Sequence, residues 1–351
     1  MSIFICYEEK IMAGNRQHFI PRFLQRGFSN EKNGKYFTNW YRKDCFKENM
    51  IVENIGLENK FYSHYGDSSV DKKITENETY SYSRILNSLV DGTYNLDNRK
   101  DLAEFIYHME IRTKNLRENM IDSWAYFGEQ LKNRLLDKET LIDYFQRNPK
   151  TIKELLQNEL NKLPIPASLH EQYNSMFFDN VQLWLPNAAE KMLSTLVPKF
   201  EQEIISKIPE IVKKVQLDVL VSSEDKKSNI YKNMHYKVLK INQSLILGDS
   251  IVIFEVSGER KFKPFYESND DLKCIYIPLD SYSLLYATPN PEDKPNVDGI
   301  NKAIAQCSFD FFISKFHSDE CQIFRSEIGK NAFIVTTEYI DEILSKIITG
   351  N

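Results

Sequence analysis

The stretch Gln17–Ser29, QHFIPRFLQRGFS, decides how the rest of the chain is organised. Pro21 suits the first turn of a helix, where the N–H group that proline lacks would have no helical partner. Gly27 suits the end of that helix, because glycine adopts a positive φ at little cost. For this opening segment we therefore predict a loop, about one and a half helical turns and a stop. Its His18 is either a functional imidazole or one that is merely hydrogen-bonded.

The composition is that of an ordinary globular protein. The 351 residues are 42% apolar and 27% charged, which is usual for such chains. The net charge of −5 argues against a broad basic nucleic-acid surface but permits a local basic groove. No cysteine has CxxC spacing, and no apolar run is long enough to span a membrane. We predict a cytoplasmic protein without membrane contact, in which residues 1–11 form an unstructured extension.

The pattern of the remaining residues, 12–351, predicts one α+β domain. The stretch Lys35–Lys43 is aromatic and roughly alternating, as in a strand, and short apolar strands recur from Asn233 onwards. These strands predict a mixed sheet that comes largely from the C-terminal third and packs against long N-terminal and central helices. The block 137–215 is almost wholly helical in pattern, which indicates a helical insertion or layer.

Two predicted helices carry a charged residue in or beside their apolar stripe. Ser68–Val90 has Glu78 in the middle of its stripe, and Leu96–Leu131 has Arg112 at the edge of its stripe. A buried carboxylate is costly unless it is paired, and Glu78 is a natural partner for a buried Arg112. The alternative is that both side chains lie on shallow, solvated faces.

A further acidic residue, Asp249, lies between two apolar strands in the sequence Gly248-Asp249-Ser250. Glycine followed by aspartate is typical of a tight turn between strands, and that explanation needs no further function. An acidic residue at a strand end is also where α/β-type sites place carboxylates that bind metals or transfer protons.

The chain contains none of the common catalytic motifs, such as a Walker A loop, HExxH or GxSxG. Four dispersed residues remain as catalytic candidates: His18, Glu78, Arg112 and Asp249. If they converge, His18, Glu78 and Asp249 supply ligands that suit Mg²⁺ or Mn²⁺. Arg112 would then neutralise charge that develops on a phosphodiester.

The opening segment also carries a family resemblance. His18-Phe19-Ile20-Pro21, followed by Phe23-Leu24 and Gly27-Phe28-Ser29, resembles the signature that opens the bacterial DUF4238 family, a domain of unknown function. The resemblance covers about residues 16 to 335. The family has no assigned chemistry, but some members lie in anti-phage defence loci, which implies a role in defence.

Two later elements resemble the family with departures. Ile111-Arg112-Thr113 is similar to an Arg-Thr-Pro element in which Lys114 replaces the proline, so we expect the helix to run on without a kink. Gly248-Asp249-Ser250 is similar to a Ser-Asp-x-Pro element, and Ile251 occupies the proline position.

Two functions fit these residues, and the sequence leaves open whether the protein is an enzyme. The first is a defence effector that acts on nucleic acid or another phosphate-containing substrate with a divalent metal. The second is a non-catalytic binding or sensing protein whose polar residues form a buried structural network.

Overall fold

The structure is a computed structural model that describes residues 16–63, 69–164, 166–222, 226–267 and 269–349. The extension predicted for residues 1–11 and the predicted helix start at Ser68 lie outside these residues. The chain forms two units. The first comprises the described residues from 16 to 120 and from 212 to 335, and the second those from 121 to 211 and from 336 to 349.

The first unit contains all the strands that the structure describes. They are β1 Arg16–His18, β2 Asn30–Lys32, β3 Lys35–Arg42, β4 Phe46–Ile51, β5 Leu57–Asn59, β6 His235–Lys240, β7 Leu247–Gly248, β8 Ile253–Val256, β9 Phe262–Lys263, β10 Leu272–Pro278, β11 Ser283–Thr288 and β12 Phe311–Ser314. The two larger sheets have the orders β6-β11-β10-β8-β9 and β2-β3-β12-β7, with β4 paired to β3, and β1 pairs with β5.

These sheets confirm the α+β class and refine the predicted sheet. Every pairing between described strands is antiparallel, so the expected mixed character is not what the described residues show. One sheet does come from the C-terminal third, where every residue of β8 and β11 is buried. The other joins the N-terminal β3 to the late strand β12, in register from Arg42 against Phe311 to Asn39 against Ser314.

The helices are distributed over both units. They are α1 Arg22–Arg26, α2 Ser69–Asn77, α3 Ser83–Val90, α4 Arg99–Ile111, α5 Lys114–Leu135, α6 Lys138–Arg147, α7 Pro149–Leu160, α8 His170–Asp179, α9 Val181–Glu203, α10 Ile208–Val221, α11 Lys226–Lys232, α12 Ile300–Cys307, α13 Asp319–Arg325 and α14 Thr337–Thr349. A π-helical turn, Glu78–Tyr82, joins α2 to α3.

The second unit is helical and has a small apolar core of its own around Phe145, Ile152 and Leu185. It contains most of the block 137–215 that the sequence predicts as an insertion or layer, and it also takes in α14. None of the helices among the described residues is long and apolar enough to cross a membrane.

The opening segment folds as the short helix α1, with Pro21 immediately before it and Gly27 immediately after it. The expected positive φ at Gly27 is wrong, because its φ is −61°. Glycine is needed there for a different reason. A Cβ atom at this position would lie 2.8 Å from the carbonyl oxygen of Leu279 and 3.0 Å from Cα of Asp280. The Gly27 carbonyl also accepts a hydrogen bond of 3.1 Å from the Ser281 N–H.

The predicted single helix Leu96–Leu131 is wrong at one point, since α4 ends at Ile111 and α5 begins at Lys114. The helix breaks although no proline is present. Side chains from elsewhere bind the carbonyl groups that the break exposes. Gln216 Nε2 donates to the carbonyls of Ile111 at 2.8 Å and Thr113 at 3.1 Å. Tyr62 Oη lies 3.4 Å from the Arg112 carbonyl oxygen, within hydrogen-bonding distance.

Candidate functional site

Arg112 lies at this helix break, and its side chain is fully buried. Its Nε donates to the Phe19 carbonyl at 3.0 Å, and its Nη2 donates to the His18 carbonyl at 2.7 Å. Its Nη1 lies 2.5 Å from Oε1 of Glu78. The guanidinium therefore joins the opening segment, the helix break and the π-helical turn at one point.

Glu78 is the first residue of the π-helical turn, and its side chain remains 23% exposed. The pairing of Glu78 with Arg112 that the apolar stripes predict is confirmed. Single π-helical turns within helices are frequent at functional sites. Burial alone would lower the pKa of Arg112, but the nearby Glu78 carboxylate raises it above its ordinary value. The Arg112 guanidinium is therefore charged at neutral pH.

Tyr62 completes the surroundings of Arg112. Its hydroxyl lies 3.3 Å from the His18 carbonyl and 3.4 Å from the Arg112 carbonyl, and it can donate its one proton to either. Burial raises the pKa of Tyr62 to about 12. The phenol is therefore neutral at pH 7 and acts as a donor that ties the opening segment to the helix break.

His18 reaches Arg112 through its backbone carbonyl, while its ring points to another partner. Nδ1 lies 3.1 Å from the Ile55 carbonyl oxygen. A carbonyl oxygen only accepts, so Nδ1 carries the proton and Nε2 carries the lone pair. Burial and the positive charge of Arg22 lower the pKa of His18 to about 4. The ring is therefore neutral at pH 7.

Two groups near Arg112 escaped the sequence analysis as site residues. Asp71 lies seven residues before Glu78, a spacing that places both on one helix face, and this spacing was the available signal. Burial raises the pKa of Asp71, while a hydrogen bond from Gln17 and the charge of Arg112 lower it.

The second group is His108, one helical turn before Arg112. It is 5% exposed, and neither ring nitrogen has a hydrogen-bond partner among the described residues. Its ring centroid lies 4.9 Å from that of Tyr82. Burial, with the charge of Arg112, lowers the pKa of His108 well below its usual value. The imidazole is therefore neutral and packs as an aromatic side chain.

Asp249 has a separate set of partners. Its Oδ1 accepts from the N–H of Phe309 at 2.6 Å, and its Oδ2 accepts from those of Asp310 at 2.7 Å and Phe311 at 3.1 Å. Burial raises the pKa of Asp249 to about 7, although the three amide hydrogen bonds act in the opposite direction. The carboxylate therefore fixes the segment between α12 and β12.

The turn after Asp249 is strained. Ile251 has a φ of +60°, which β-branched residues rarely adopt. The Val252 N–H donates to the Ser250 carbonyl at 2.6 Å, the hydrogen bond of a γ-turn centred on Ile251. A proline, as in the family element, would be unable to adopt this φ.

The Asp249 turn meets the helix break through its neighbour Ser250. Asn115 Nδ2, at the start of α5, donates to Ser250 Oγ at 2.6 Å. A second link is aromatic, because the ring of Phe311 lies 6.4 Å from that of Phe19, whose carbonyl binds Arg112. Asn115 and Ser250 gave no sequence signal, since each is an ordinary polar residue until the fold buries it.

The described residues do not bring the predicted metal ligands His18, Glu78 and Asp249 together as one group. Within the described ranges, no group of three or more His, Cys, Asp or Glu side chains could hold a metal ion. Glu78 and Arg112 meet through their side chains and His18 joins them through its backbone, whereas the Asp249 carboxylate is bound by amides. The catalytic roles of these four residues stay predictions.

Comparison with known proteins places the chain in a family. No curated protein and no solved structure matches it. The family model described as "Protein of unknown function (DUF4238)" matches residues 16–343, nearly the whole chain, and so includes every residue of the site. The chain therefore belongs to the DUF4238 family.

Proposed function

We propose that this protein is a cytoplasmic, non-catalytic binding or sensing protein in which Glu78, Arg112 and the opening segment form a buried structural network. The observation that carries the proposal is the complete burial of the Arg112 side chain among partners from its own chain. A phosphodiester would meet this guanidinium only after the helix break had opened. A buried ion pair is weak support for stability, but it can fix the register of the elements it joins.

The family resemblance implies a role in phage defence. On this proposal, that role is to recognise a signal of infection. The network holds the opening segment, the π-helical turn and the helix break in one arrangement. A partner or ligand would then bind a surface that this arrangement shapes. Destruction of nucleic acid would be the task of another protein.

A second candidate is an effector that acts on nucleic acid or another phosphate-containing substrate with Mg²⁺ or Mn²⁺. One observation favours it. His18 donates Nδ1–H to a backbone carbonyl and has its lone pair on Nε2, as metal-binding histidines do. Glu78 would supply a carboxylate, because Mg²⁺ binds one or two carboxylates and completes its shell with water and phosphate oxygens. Asp249 has no part in this version.

Metal-dependent hydrolysis separates the two candidates. The purified full chain is incubated with double-stranded DNA, single-stranded DNA and RNA in Mg²⁺ or Mn²⁺, alongside the Glu78→Gln variant. Glu104→Gln is the matched control, because its carboxylate lies on α4 and is 49% exposed. We expect no hydrolysis by the wild-type chain, and a loss of stability in Glu78→Gln that the control does not share.

The opposite result would favour the effector. It is hydrolysis by the wild-type chain that disappears in Glu78→Gln, persists in Glu104→Gln and is accompanied by unchanged unfolding curves. The same variants are then expressed in a phage-infected host. Nucleic-acid loss that continues undiminished in Glu78→Gln would rule out a catalytic role for this carboxylate.

A further inference from the structure

A second buried arginine, Arg117, carries a charge that no carboxylate meets. It lies in the first turn of α5 and is 4% exposed. Its Nε donates to Gln216 Oε1 at 2.6 Å, and its Nη2 donates to the Phe61 carbonyl at 2.9 Å. Both acceptors are neutral, and Arg117 forms no ion pair with the residues that the structure describes. A buried charge is costly unless an opposite charge lies beside it.

The guanidinium of Arg117 is held in place but remains open at one nitrogen. Its Cζ atom lies 3.6 Å from the centroid of the Phe61 ring, as in a cation–π stack. Gln216, which accepts from Nε, also binds the carbonyls at the helix break. The third nitrogen, Nη1, has no hydrogen bond to a described residue and is not shut off from solvent. A ligand can therefore approach Nη1 while the other two nitrogens keep their partners.

A lysine lies beside this arginine. Lys213 Nζ, on α10, donates to the Lys60 carbonyl at 2.8 Å, and the next carbonyl along the chain is the Phe61 group that binds Arg117. Burial lowers the pKa of Lys213, the charge of Arg117 lowers it further, and Glu58 opposes them only in part. Like Arg117, Lys213 forms no ion pair within the described ranges. Two cations without counter-ions therefore lie side by side.

The surrounding charges leave this place positive. Glu58 acts on both Arg117 and Lys213, but its Oε2 lies 3.2 Å from Lys114 Nζ and is paired with it. Glu118 acts on Arg117 more weakly than Glu58 does. The first turn of α5 contains Lys114 and Arg117 and no acidic residue, although the positive end of a helix dipole favours carboxylates there. The buried arginine, the lysine and the helix start therefore all select an anion.

We propose that Arg117 and Lys213 form a binding site for the di- or triphosphate group of a small ligand. One phosphate oxygen accepts from Arg117 Nη1, and Lys213 Nζ balances a second charge. The side chain of Lys60, exposed on the same segment, adds a third cation. A single phosphate group carries a charge of about −2 at most, so a chain of phosphates matches three cations better. Arginine suits such a ligand because its planar guanidinium donates to phosphate oxygens.

This proposal rests on the proposed binding and sensing function and names the class of its ligand. Gln216 is the connection, because its Oε1 accepts from Arg117 while its Nε2 binds the carbonyls of Ile111 and Thr113 at the helix break. An anion on Arg117 would therefore stabilise the arrangement of the break that buries Arg112.

Isothermal titration calorimetry of the purified full chain, at low salt and without divalent cations, tests the proposal. The probes are phosphate, pyrophosphate, tripolyphosphate and ATP. We expect saturable binding of pyrophosphate and tripolyphosphate and weaker binding of phosphate. ATP that binds more tightly than tripolyphosphate would identify a nucleotide as the source of the phosphate chain. Tighter binding of tripolyphosphate would identify an inorganic chain, and either order supports the proposal.

Variants of the two cations test the site itself. Arg117→Met should weaken binding of tripolyphosphate about tenfold or more, because a hydrogen bond from a charged donor is lost. Lys213→Met should weaken it about 3- to 10-fold. Lys214→Met removes the same charge from an exposed position on α10 and should change binding less than twofold. Because Lys213 is only partly buried, its variant keeps the test valid if Arg117→Met fails to fold.

A carboxylate variant should act in the opposite direction. Glu58→Gln removes the acidic group that acts on Arg117 and Lys213 and leaves Lys114 without its partner, so it should tighten binding about 2- to 5-fold. Glu48→Gln, at an exposed position on β4, is the matched control and should leave binding unchanged.

Three results would overturn the proposal. One is the absence of saturable heat with pyrophosphate, tripolyphosphate and ATP, and another is wild-type affinity in both Arg117→Met and Lys213→Met. The third is equal weakening by Lys213→Met and Lys214→Met, which would show that only net charge matters. None of these results changes the loss of stability expected of Glu78→Gln, so failure of the anion site and failure of the Arg112 network are distinguishable.

Discussion

Replacing Arg112 by methionine is the most direct perturbation of the buried network. It removes two hydrogen bonds to the carbonyls of His18 and Phe19 and the ion pair with Glu78. Removal of one partner from a buried pair costs about 3–5 kcal/mol. Because Glu78 is 23% exposed and can turn to water, we expect the lower part of that range, about 3–4 kcal/mol.

Urea unfolding of the purified full chain, followed by aromatic fluorescence, measures this loss. Arg84→Met is the control, because Arg84 lies exposed on α3 and its replacement should stay within about 0.5 kcal/mol of wild type. In the wild-type background, Glu78→Gln should cost less than Arg112→Met, since the amide oxygen still accepts from Arg112. In the Arg112→Met background the same change should be neutral or stabilising, because it removes an unpaired carboxylate. An Arg112→Met variant within about 1 kcal/mol of wild type would refute this account of the network.

Three further predictions concern Asp249, Ile251 and Gly27. Since burial raises the pKa of Asp249 from 3.8 to about 7, the folded state binds a proton that the unfolded state has lost between these values. This group's stabilising effect should therefore be present below about pH 4 and fall by up to about 1.4 kcal/mol per pH unit towards pH 7. Asp249→Asn should remove this dependence of the unfolding free energy on pH, measured from pH 4 to 7. Equal pH dependences in the wild-type chain and the variant would contradict the prediction. The Ile251→Gly variant should be about 1 kcal/mol more stable than Ile251→Ala, because only glycine tolerates a φ of +60° without strain. Elsewhere alanine is normally the more stabilising of the two residues. An alanine variant of equal or greater stability would therefore exclude strain at this turn. Gly27→Ala should cost about 1–3 kcal/mol of stability, because its Cβ would meet backbone atoms of Leu279 and Asp280. Gly128→Ala inside α5 is the control and should be neutral or stabilising, because a Cβ there would have no contact shorter than 3.4 Å. Equal shifts of the melting temperature in the two variants would contradict the close contact of Gly27 with the backbone at Leu279 and Asp280.

The sequence predicted those parts of the fold that local pattern determines. Lys35–Lys43 contains β3 because alternating aromatic residues fit a half-buried strand, and short apolar strands do recur after Asn233. The break after Ile111 and the conformation of Gly27 were missed. Both depend on groups more than 45 residues away in the chain, such as Tyr62 and Leu279, which no local window contains.

The same distinction holds within the site. The pairing of Glu78 with Arg112 was accessible, because each charge interrupts or borders an apolar stripe and a buried charge needs a partner. The amide partners of Asp249 and the carbonyl partner of His18 were not, because backbone groups leave no mark in the sequence. His108 was not among the predicted site residues, and burial makes its ring neutral.

The break between α4 and α5 shows that side chains distant in the sequence can maintain a helix break where no proline imposes one. Here Lys114 would permit a continuous helix, and the side chains of Tyr62 and Gln216 bind the carbonyls that a straight helix would have used. A relative with proline at the position of Lys114 has its bend built into the main chain. Such a relative should tolerate loss of the tyrosine hydroxyl or the glutamine amide, while this chain should straighten without them and withdraw its arginine from the core.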